Sequence, residues 1–249
     1  MLFFSSSITF SQTKIIAHRG FSGTAPENTL TAFRKAIESG ADYFELDVHK
    51  TKDDSIVVIH DASVNRTSSN NIKGRITKME YSELASVKVG YPGKFGDKYI
   101  DERIPTLSKA LELAKGRIKV CIEIKVHDAE QEVIRIVNEL AMNDQVIIFS
   151  FYSDVLVKIR ELDPVIPTLF LIRDADGKTI DHVLEIGSNA IGVGPGTRLT
   201  GEYIRAAHDQ GLEVWRWTVD DPKLMRELME LGLDGLITNF PDAALKVRY

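Results

Sequence analysis

The feature that most constrains the fold of this chain is an alternation of short apolar runs with helical patterns, which continues almost to the end. The apolar runs are rich in β-branched residues, and apolar residues recur three or four positions apart in the stretches between them. Eight such pairs in 249 residues have the length and rhythm of a (β/α)8 barrel. The predicted strands are Lys14–Ala17, Tyr43–Val48, Lys119–Ile124, Val146–Ser150, Thr168–Ile172, Ala190–Val193, Val214–Trp217 and Leu236–Thr238.

The first loop argues against an open doubly wound sheet, the other common fold with this alternation. That fold usually carries a glycine-rich phosphate-binding loop after its first strand, and the sequence HRGFSG lacks the GxGxxG spacing. We therefore predict an α/β fold of the TIM-barrel class. The first predicted helix, around residues 29–40, places Phe33 and Ile37 on one face, with Asn28 positioned to cap it and Gly40 to end it.

One segment interrupts the alternation, between the second predicted strand and the helix that should follow it. About residues 50–103 contain a short strand at Ile56–Ile59, a polar loop, a helical piece near Tyr81–Ala85 and the glycine-rich sequence GYPGKFGDK. In a barrel, the loops that follow strands build the face that carries the active site. We therefore expect a small insertion after strand two that covers the site, within a barrel domain spanning residues 13–249.

Composition argues against several classes of partner. The apolar fraction of 43% and the charged fraction of 27% are typical of a globular domain. A net charge of −5 gives no support to binding of nucleic acid or of an anionic membrane surface. No stretch approaches the roughly 20 apolar residues that stable membrane insertion requires. The single cysteine, Cys121, excludes an intrachain disulfide and lies in the apolar run KVCIEI, where we expect it to be buried.

The N-terminal sequence MLFFSSSITFSQ leaves two localisations open. It has a short apolar, serine-rich body, but it lacks the basic residues that begin a full signal peptide. Residues 1–12 are therefore interpreted either as a tail or as a clipped export signal. An export signal at residues 1–11 would predict a periplasmic or secreted protein, and a tail would predict a cytoplasmic one.

Charged or titratable side chains end four of the apolar runs. Residues two apart on a strand point to the same face, and the ends of parallel strands meet at one rim of a barrel. Each pair alone also fits a structural role, such as a cap, a solvated face or a neutralising contact. Together they predict one cluster. The pairs are His18 and Arg19, Glu45 and Asp47, Glu123 and Lys125, and His60 and Asp61.

The acidic and basic members of this cluster point to a metal and a phosphate. The three carboxylates Glu45, Asp47 and Glu123 supply hard oxygen ligands that suit Mg²⁺ or Ca²⁺, whereas a zinc site would normally include histidine or cysteine. Arg19 can make a bidentate contact with a phosphate, and Lys125 can add a point charge.

The two histidines complete the predicted chemistry. His18 and His60 lie in separate motifs, and imidazole titrates near neutral pH, so one could act as a base and the other as an acid. A metal, two cations and two imidazoles together indicate cleavage of a phosphodiester, in which the metal and the cations stabilise charge on the non-bridging oxygens.

In these motifs the chain resembles the glycerophosphodiester phosphodiesterase family. The matching sequences are HRGFSGTAPENTLTAF, ELDVHKTKDDSIVVIHD, IPTLSKAL, EIKV and WTVDD, and the resemblance extends from about Lys14 to Val247. It implies a barrel with a small insertion domain after strand two and a divalent metal. It also implies hydrolysis of small deacylated phospholipids, the glycerophosphodiesters, to sn-glycerol 3-phosphate and an alcohol.

The resemblance also implies roles for the matching positions. It makes His60 the expected acid and His18 the expected base, an order that the residues themselves leave open. Family members often carry asparagine where Asp220 stands, a difference expected to leave the reaction unchanged and to alter only contacts with the alcohol. The implied set is His18 and His60 for acid–base catalysis, Glu45, Asp47 and Glu123 for the metal, Arg19 and Lys125 for the phosphate, and Trp217 either for the glycerol end or as a core residue.

Two other functions stay open at this level. A phospholipase C- or D-like barrel would act on intact lipids, although the glycine-rich part of the insertion offers only Tyr91, Phe95 and Tyr99 as aromatic membrane contacts. An inactive barrel could bind a phosphate ester without cleaving it. The sequence also leaves open the preferred head group, the choice between Mg²⁺ and Ca²⁺, and the oligomeric state.

Overall fold

Nine strands form one sheet in the computed structural model, which describes residues 12–248. The interpretations given above for residues 1–11 fall outside the described residues. Numbered along the chain, the strands are β1 (Lys14–Ala17), β2 (Tyr43–Lys50), β3 (Ile56–Val58), β4 (Lys119–Ile124), β5 (Val146–Ser150), β6 (Thr168–Ile172), β7 (Ala190–Val193), β8 (Glu213–Arg216) and β9 (Gly235–Thr238).

Eight of these strands close into a parallel barrel. The order is β1-β9-β8-β7-β6-β5-β4-β2, and pairing of β1 with β2 completes the ring. The ninth strand, β3, pairs antiparallel with the end of β2, with Val48 opposite Val58. This hairpin carries β2 to Lys50, two residues past its predicted end. The predicted (β/α)8 barrel with an insertion after strand two is confirmed.

Helices connect the parallel strands and surround the barrel. Within residues 12–248, no helix has the length and apolar character needed to cross a membrane. The helices described are α1 (Leu30–Ser39), α2 (Tyr81–Leu84), α3 (Pro92–Phe95), α4 (Leu107–Ala114), α5 (Glu130–Glu139), α6 (Ser153–Leu162), α7 (Thr179–Glu185), α8 (Gly201–Asp209), α9 (Pro222–Glu230) and α10 (Pro241–Arg248).

Side chains fill the barrel interior. Phe149 contacts Trp215 edge-on, with ring centroids 5.5 Å apart, and Cys121 lies fully buried in the same cluster. Burial raises the pKa of the Cys121 thiol, so this residue behaves as a core side chain, as the sequence predicts. Gly235 allows the packing, because a Cβ atom there would lie 2.3 Å from the indole of Trp215.

The insertion between β2 and α4 has a small core of its own. Val57, Ile59, Ile76 and Leu84 belong to a buried cluster separate from those between the barrel and its helices. A backbone hydrogen bond from the amide of Ile59 to the carbonyl of Asp47, at 2.9 Å, joins the insertion to the barrel. The insertion therefore places the residue after Ile59, His60, at the rim of the barrel.

The start of α1 differs from the prediction. Thr29 is the N-cap, since its backbone is extended and its hydroxyl accepts a hydrogen bond from the amide of Ala32. Asn28 has a φ of 57°, a left-handed conformation that asparagine tolerates, and its side chain is directed at β2. The prediction that Asn28 caps this helix is therefore wrong, and the residue serves the site instead.

Candidate active site

A cavity of 460 Å³ opens at the carboxyl ends of the barrel strands, and seven of the eight predicted site residues line it. The eighth, Asp47, is 1% exposed and lies beside the carboxylates that reach the cavity. The structure thus brings the predicted set into one place. The seven lining residues are His18, Arg19, Glu45, His60, Glu123, Lys125 and Trp217.

The three predicted metal ligands form a compact buried group. One carboxylate oxygen each from Glu45, Asp47 and Glu123 lies within 4.8 Å of the others. The Oε2 atom of Glu45 accepts a hydrogen bond from the backbone amide of Arg19 at 2.7 Å, but its Oε1 atom is buried and has no hydrogen-bond partner among residues 12–248. Such an oxygen is costly to bury unless a cation or a donor is present.

Asn28 holds the central member of this group. Its Nδ2 atom donates to Oδ2 of Asp47 at 2.7 Å, and its Oδ1 atom accepts from the amide of Asp47 at 3.2 Å. The left-handed backbone at Asn28 aims the amide at β2 and away from the start of α1. This backbone conformation is not visible in the sequence, so the sequence pattern suggested a helix cap.

Burial and the crowding of negative charge shift the pKa values of these three carboxylates in different directions. Burial, reinforced by Asp47, raises the pKa of Glu45 well above its ordinary value and that of Glu123 to about 7. Burial acts in the same sense on Asp47, but Lys125 and Arg19 outweigh it and hold the pKa of Asp47 well below its usual range. The donors are hard oxygens, and a divalent cation would relieve their repulsion. These residues fit a metal such as Mg²⁺ or Ca²⁺.

The two predicted phosphate-binding cations flank the carboxylates. The Nζ atom of Lys125 lies 2.7 Å from Oε1 of Glu123 and 3.3 Å from Oδ1 of Asp47. Arg19 donates to Glu27 at 3.0 Å through Nη1, and its buried Nε, 3.5 Å from Asp47, has no hydrogen-bond partner in the part of the chain that the structure describes. Both cations keep donor capacity for an anion in the cavity.

His18, directly after β1, is held through one ring nitrogen. Its Nδ1 lies 2.8 Å from Oδ1 of Asn239, which follows β9. Burial, with the guanidinium of Arg19 beside it, lowers the pKa of His18 to about 4. The ring is therefore neutral at neutral pH and can accept a proton.

We expect His18 to titrate near pH 4 in the metal-free protein, well below its ordinary 6.5. As the pH falls, the unfolded chain binds this proton first. The contribution of His18 to folding stability is therefore complete above about pH 6.5, declines as the pH falls towards about 4, and changes no further below that. An NMR titration of the ring resonances, assigned with His18→Gln, measures the midpoint. A value near 6.5 would contradict this expectation.

His60 lies in a chain of alternating charges that links the insertion to the first loop. Its Nδ1 is 2.7 Å from Oδ1 of Asp61, and Oδ2 of the same carboxylate accepts from Nε of Arg66 at 2.7 Å. Arg66 also donates to Glu27 at 2.6 Å, and Glu27 accepts from Arg19. The chain fixes the His60 ring by its Nδ1 edge. Arg66 was missed in the sequence because it lies in a polar loop without periodicity.

Two other histidines, His49 and His127, lie close to the site. The Nε2 atom of the buried His49 lies 3.0 Å from the carbonyl oxygen of His60, so His49 supports the turn that carries the predicted acid. His127 is 3.2 Å from Asp154 and its ring centroid is 4.5 Å from that of Tyr152. Neither lines the cavity.

Aromatic side chains form the far wall of the cavity. Trp217 follows β8, which ends one residue earlier than predicted, and its Nε1 donates to the carbonyl of Gly192 at 2.9 Å. Its ring meets that of Phe151 at 90°, with centroids 5.4 Å apart. Sequence reasoning missed Phe151 and Arg173, which also lines this wall. Both stand at strand ends, where the spacing used for the charged pairs would have found them.

Comparison with known sequences gives one consistent result. The sequence model of the glycerophosphoryl diester phosphodiesterase family matches residues 18–243. A glycerophosphodiester phosphodiesterase from Bacillus altitudinis is 34% identical over 246 residues, which cover 95% of this chain and 98% of that protein.

Solved structures show the same likeness. The glycerophosphodiester phosphodiesterase of Agrobacterium tumefaciens superposes with a TM-score of 0.81 and 31% identity, covering 93% of this chain and 99% of that one. An Oleispira antarctica phosphodiesterase, solved in complex with the product sn-glycerol-3-phosphate, superposes with a TM-score of 0.85 and 26% identity, covering 95% and 96%. The likeness extends over nearly the whole chain.

Proposed function

Because this chain belongs to the glycerophosphoryl diester phosphodiesterase family and is accordingly a phosphoric diester hydrolase acting on glycerophosphodiesters, we propose that it releases sn-glycerol 3-phosphate and an alcohol by metal-dependent acid–base catalysis. The Oleispira antarctica relative binds that product, which supports this choice of scissile bond. The observation that carries the proposal is the convergence of two imidazoles, two cations and the carboxylates on one cavity.

Glu45, Asp47 and Glu123 are the proposed ligands of a divalent metal, Mg²⁺ or Ca²⁺. The unpartnered buried oxygen of Glu45 and the shared negative charge of the three support this assignment. When bound, such a metal supplies positive charge at the non-bridging oxygens of the phosphate.

Arg19 and Lys125 orient the phosphate. The unpartnered Nε of Arg19 and the Nζ of Lys125 are donors beside the carboxylates, so a diester in the cavity would gain charge-assisted hydrogen bonds from both. In the transition state, negative charge grows on the oxygens that these donors contact, which strengthens both contacts as the reaction proceeds.

His18 is the proposed base. Its neutral ring takes the proton of the attacking hydroxyl, which we assign to the neighbouring hydroxyl of the substrate's own glycerol. The hydroxyl oxygen then forms the new bond to phosphorus, the bond from phosphorus to the alcohol oxygen breaks, and a cyclic phosphate results. In a second step His60, which has given up its proton, takes one from water as the water oxygen bonds to phosphorus. The bond from phosphorus to the ring oxygen formed in the first step breaks, and that oxygen takes the proton held by His18, which yields glycerol 3-phosphate.

His60 is the proposed acid. Its Nδ1 is held by the carboxylate of Asp61, an arrangement that orients the ring and leaves Nε2 to serve the substrate. A proton from His60 passes to the leaving alcohol oxygen as its bond to phosphorus breaks. Trp217 and Phe151 supply apolar surface for the carbon skeleton of the glycerol.

The test is release of glycerol 3-phosphate from glycerophosphocholine by chelator-treated protein, before and after adding Mg²⁺ or Ca²⁺. We expect release only after a metal is added. Glycerophosphoethanolamine, glycerophosphoglycerol and glycerophosphoinositol tested in parallel define the head group. Equal release in the presence of chelator would contradict the metal requirement. A folded, metal-loaded protein that cleaves neither these diesters nor intact phospholipid in vesicles would contradict the proposed reaction.

A further inference from the structure

Two residues without a role in the proposed reaction are hydrogen-bonded in series behind His18. Asn239 contacts Nδ1 of His18 through Oδ1 at 2.8 Å, and its Nδ2 donates to Oδ2 of Asp220 at 2.6 Å. Asp220 also accepts from the backbone amide of Asn239 at 2.8 Å and from the hydroxyl of Thr238 at 3.0 Å. The carboxylate of Asp220 thus joins the loop after β8 to the end of β9.

The chemistry of a carboxylate sets the direction of every hydrogen bond in this series. Because the carboxylate of Asp220 only accepts, Asn239 must turn its amide nitrogen towards Asp220 and its oxygen towards His18. The hydroxyl of Ser22 donates to the same oxygen at 2.7 Å, which favours the same orientation. An amide oxygen is an acceptor, so the Nδ1 of His18 must carry a hydrogen.

We propose that Asp220 and Asn239 are positioning residues that fix the neutral His18 ring as its Nδ1–H tautomer, so that Nε2 keeps the lone pair a base requires. The inference rests on the proposed role of His18 as the base. It gives Asp220 a part in the chemistry although its side chain does not line the cavity.

Asparagine at position 220 would reverse this order. The backbone amide of Asn239 and the hydroxyl of Thr238 would hold the new side chain by its oxygen, so its amide nitrogen would face that of Asn239, donor against donor, unless the Asn239 amide turned end over end. The turned amide would direct its nitrogen at His18, whose Nδ1 would then accept, and the ring proton would move to Nε2. Asparagine at position 220 would therefore slow the reaction, in contrast to the expectation from sequence that it leaves the reaction unchanged.

The tautomer is measured directly by nitrogen-15 NMR of the histidine rings in metal-free protein, with His18 assigned by His18→Gln. We expect the wild-type ring to carry its proton on Nδ1 and Asp220→Asn to move it to Nε2. With glycerophosphocholine as substrate and metal present, kcat of Asp220→Asn should fall by at least about 10-fold, the smallest effect seen when a group that orients a functional histidine is lost, and by up to about 10⁴-fold. KM should change little, because neither residue is a proposed phosphate ligand.

A double variant that exchanges residues 220 and 239, called here the swapped pair, separates loss of positioning from a general loss of structure. In Asp220→Asn combined with Asn239→Asp, the new carboxylate at position 239 accepts from both His18 and the amide introduced at position 220, which restores the Nδ1 proton and most of kcat. Asp209→Asn, an exposed change of the same charge on α8, is the control and should match wild type.

An unchanged His18 tautomer in Asp220→Asn would overturn the inference, and so would a loss of kcat that the swapped pair does not recover. The NMR measurement of the tautomer does not depend on turnover. A wild-type protein with the Nδ1 proton but no turnover would contradict the proposed function, not the positioning of His18.

Discussion

Replacing His18 with alanine is expected to lower kcat by about 10²- to 10⁴-fold for every glycerophosphodiester, the range that general acid–base catalysis contributes. The base is needed to activate the attacking hydroxyl, whatever the leaving alcohol. The neutral ring, with its pKa lowered to about 4, supplies that base at neutral pH. The measurement is steady-state hydrolysis of glycerophosphocholine and of glycerol 3-(4-nitrophenyl phosphate) by the wild type and the variant.

The same pair of substrates separates the base from the acid. His60→Ala should lose activity to a similar extent on glycerophosphocholine, whose alcohol needs a proton as it leaves. It should retain most of the initial rate of nitrophenolate release from the nitrophenyl ester, because nitrophenolate leaves in the first step without a proton. His18→Ala should be slow on both. Recovery of His18→Ala, but not of His60→Ala, on the activated ester would reverse the assignment.

A histidine elsewhere on the surface provides the control for both variants. His182 lies on α7 with Glu185 as its ion-pair partner and does not line the cavity. His182→Ala should therefore retain wild-type kinetics on both substrates, and circular dichroism should show that the three variants keep the barrel folded.

Glu45→Gln is the second change with a large expected effect, because it removes one proposed metal ligand while keeping the shape of the side chain. Its oxygen can still accept from the amide of Arg19, so the first loop should keep its position. We expect kcat/KM to fall by about 10³-fold, which corresponds to the several kcal/mol of charge stabilisation that a bound metal supplies.

Metal binding can be followed without turnover. In the wild type, Mg²⁺ or Ca²⁺ at about 100 times its dissociation constant should raise the free energy of unfolding by about 2.7 kcal/mol. Glu45→Gln should show little of this gain. Without metal it should be at least as stable as the wild type, because Glu45 no longer crowds Asp47 and Glu123.

The surface change Glu112→Gln, on the exposed side of α4, should leave both the metal-induced stabilisation and kcat/KM unchanged. Equal metal-induced stabilisation of Glu45→Gln and the wild type would remove Glu45 from the ligand set.

Strand periodicity and the convergence of strand ends were enough to predict the barrel and to place eight residues at one rim. Both depend on local spacing, which the sequence displays directly. Asp47 and Glu123 illustrate this, because they lie opposite each other in the register of β2 and β4. Their spacing within each strand already placed them on the same face.

The interactions that hold these residues could not be predicted in the same way. Asn239 reaches His18 from the opposite end of the sequence, and the contact depends on how the loops after β1 and β9 pack. Asn28 was mistaken for a helix cap because its left-handed backbone is set by the loop around it. Arg66 has partners only once the insertion has folded over the rim.

The two proposed catalytic imidazoles are attached to different apolar cores. His18 follows Ala17, which packs in the large cluster between the barrel and its helices, whereas His60 follows Ile59 in the smaller core of the insertion. Local opening of the insertion would carry the acid away from the base while the barrel stayed folded. We expect the smaller core to open first on heating, so that activity is lost before the barrel unfolds, and mutations that tighten this core should raise the temperature of inactivation without touching a catalytic group.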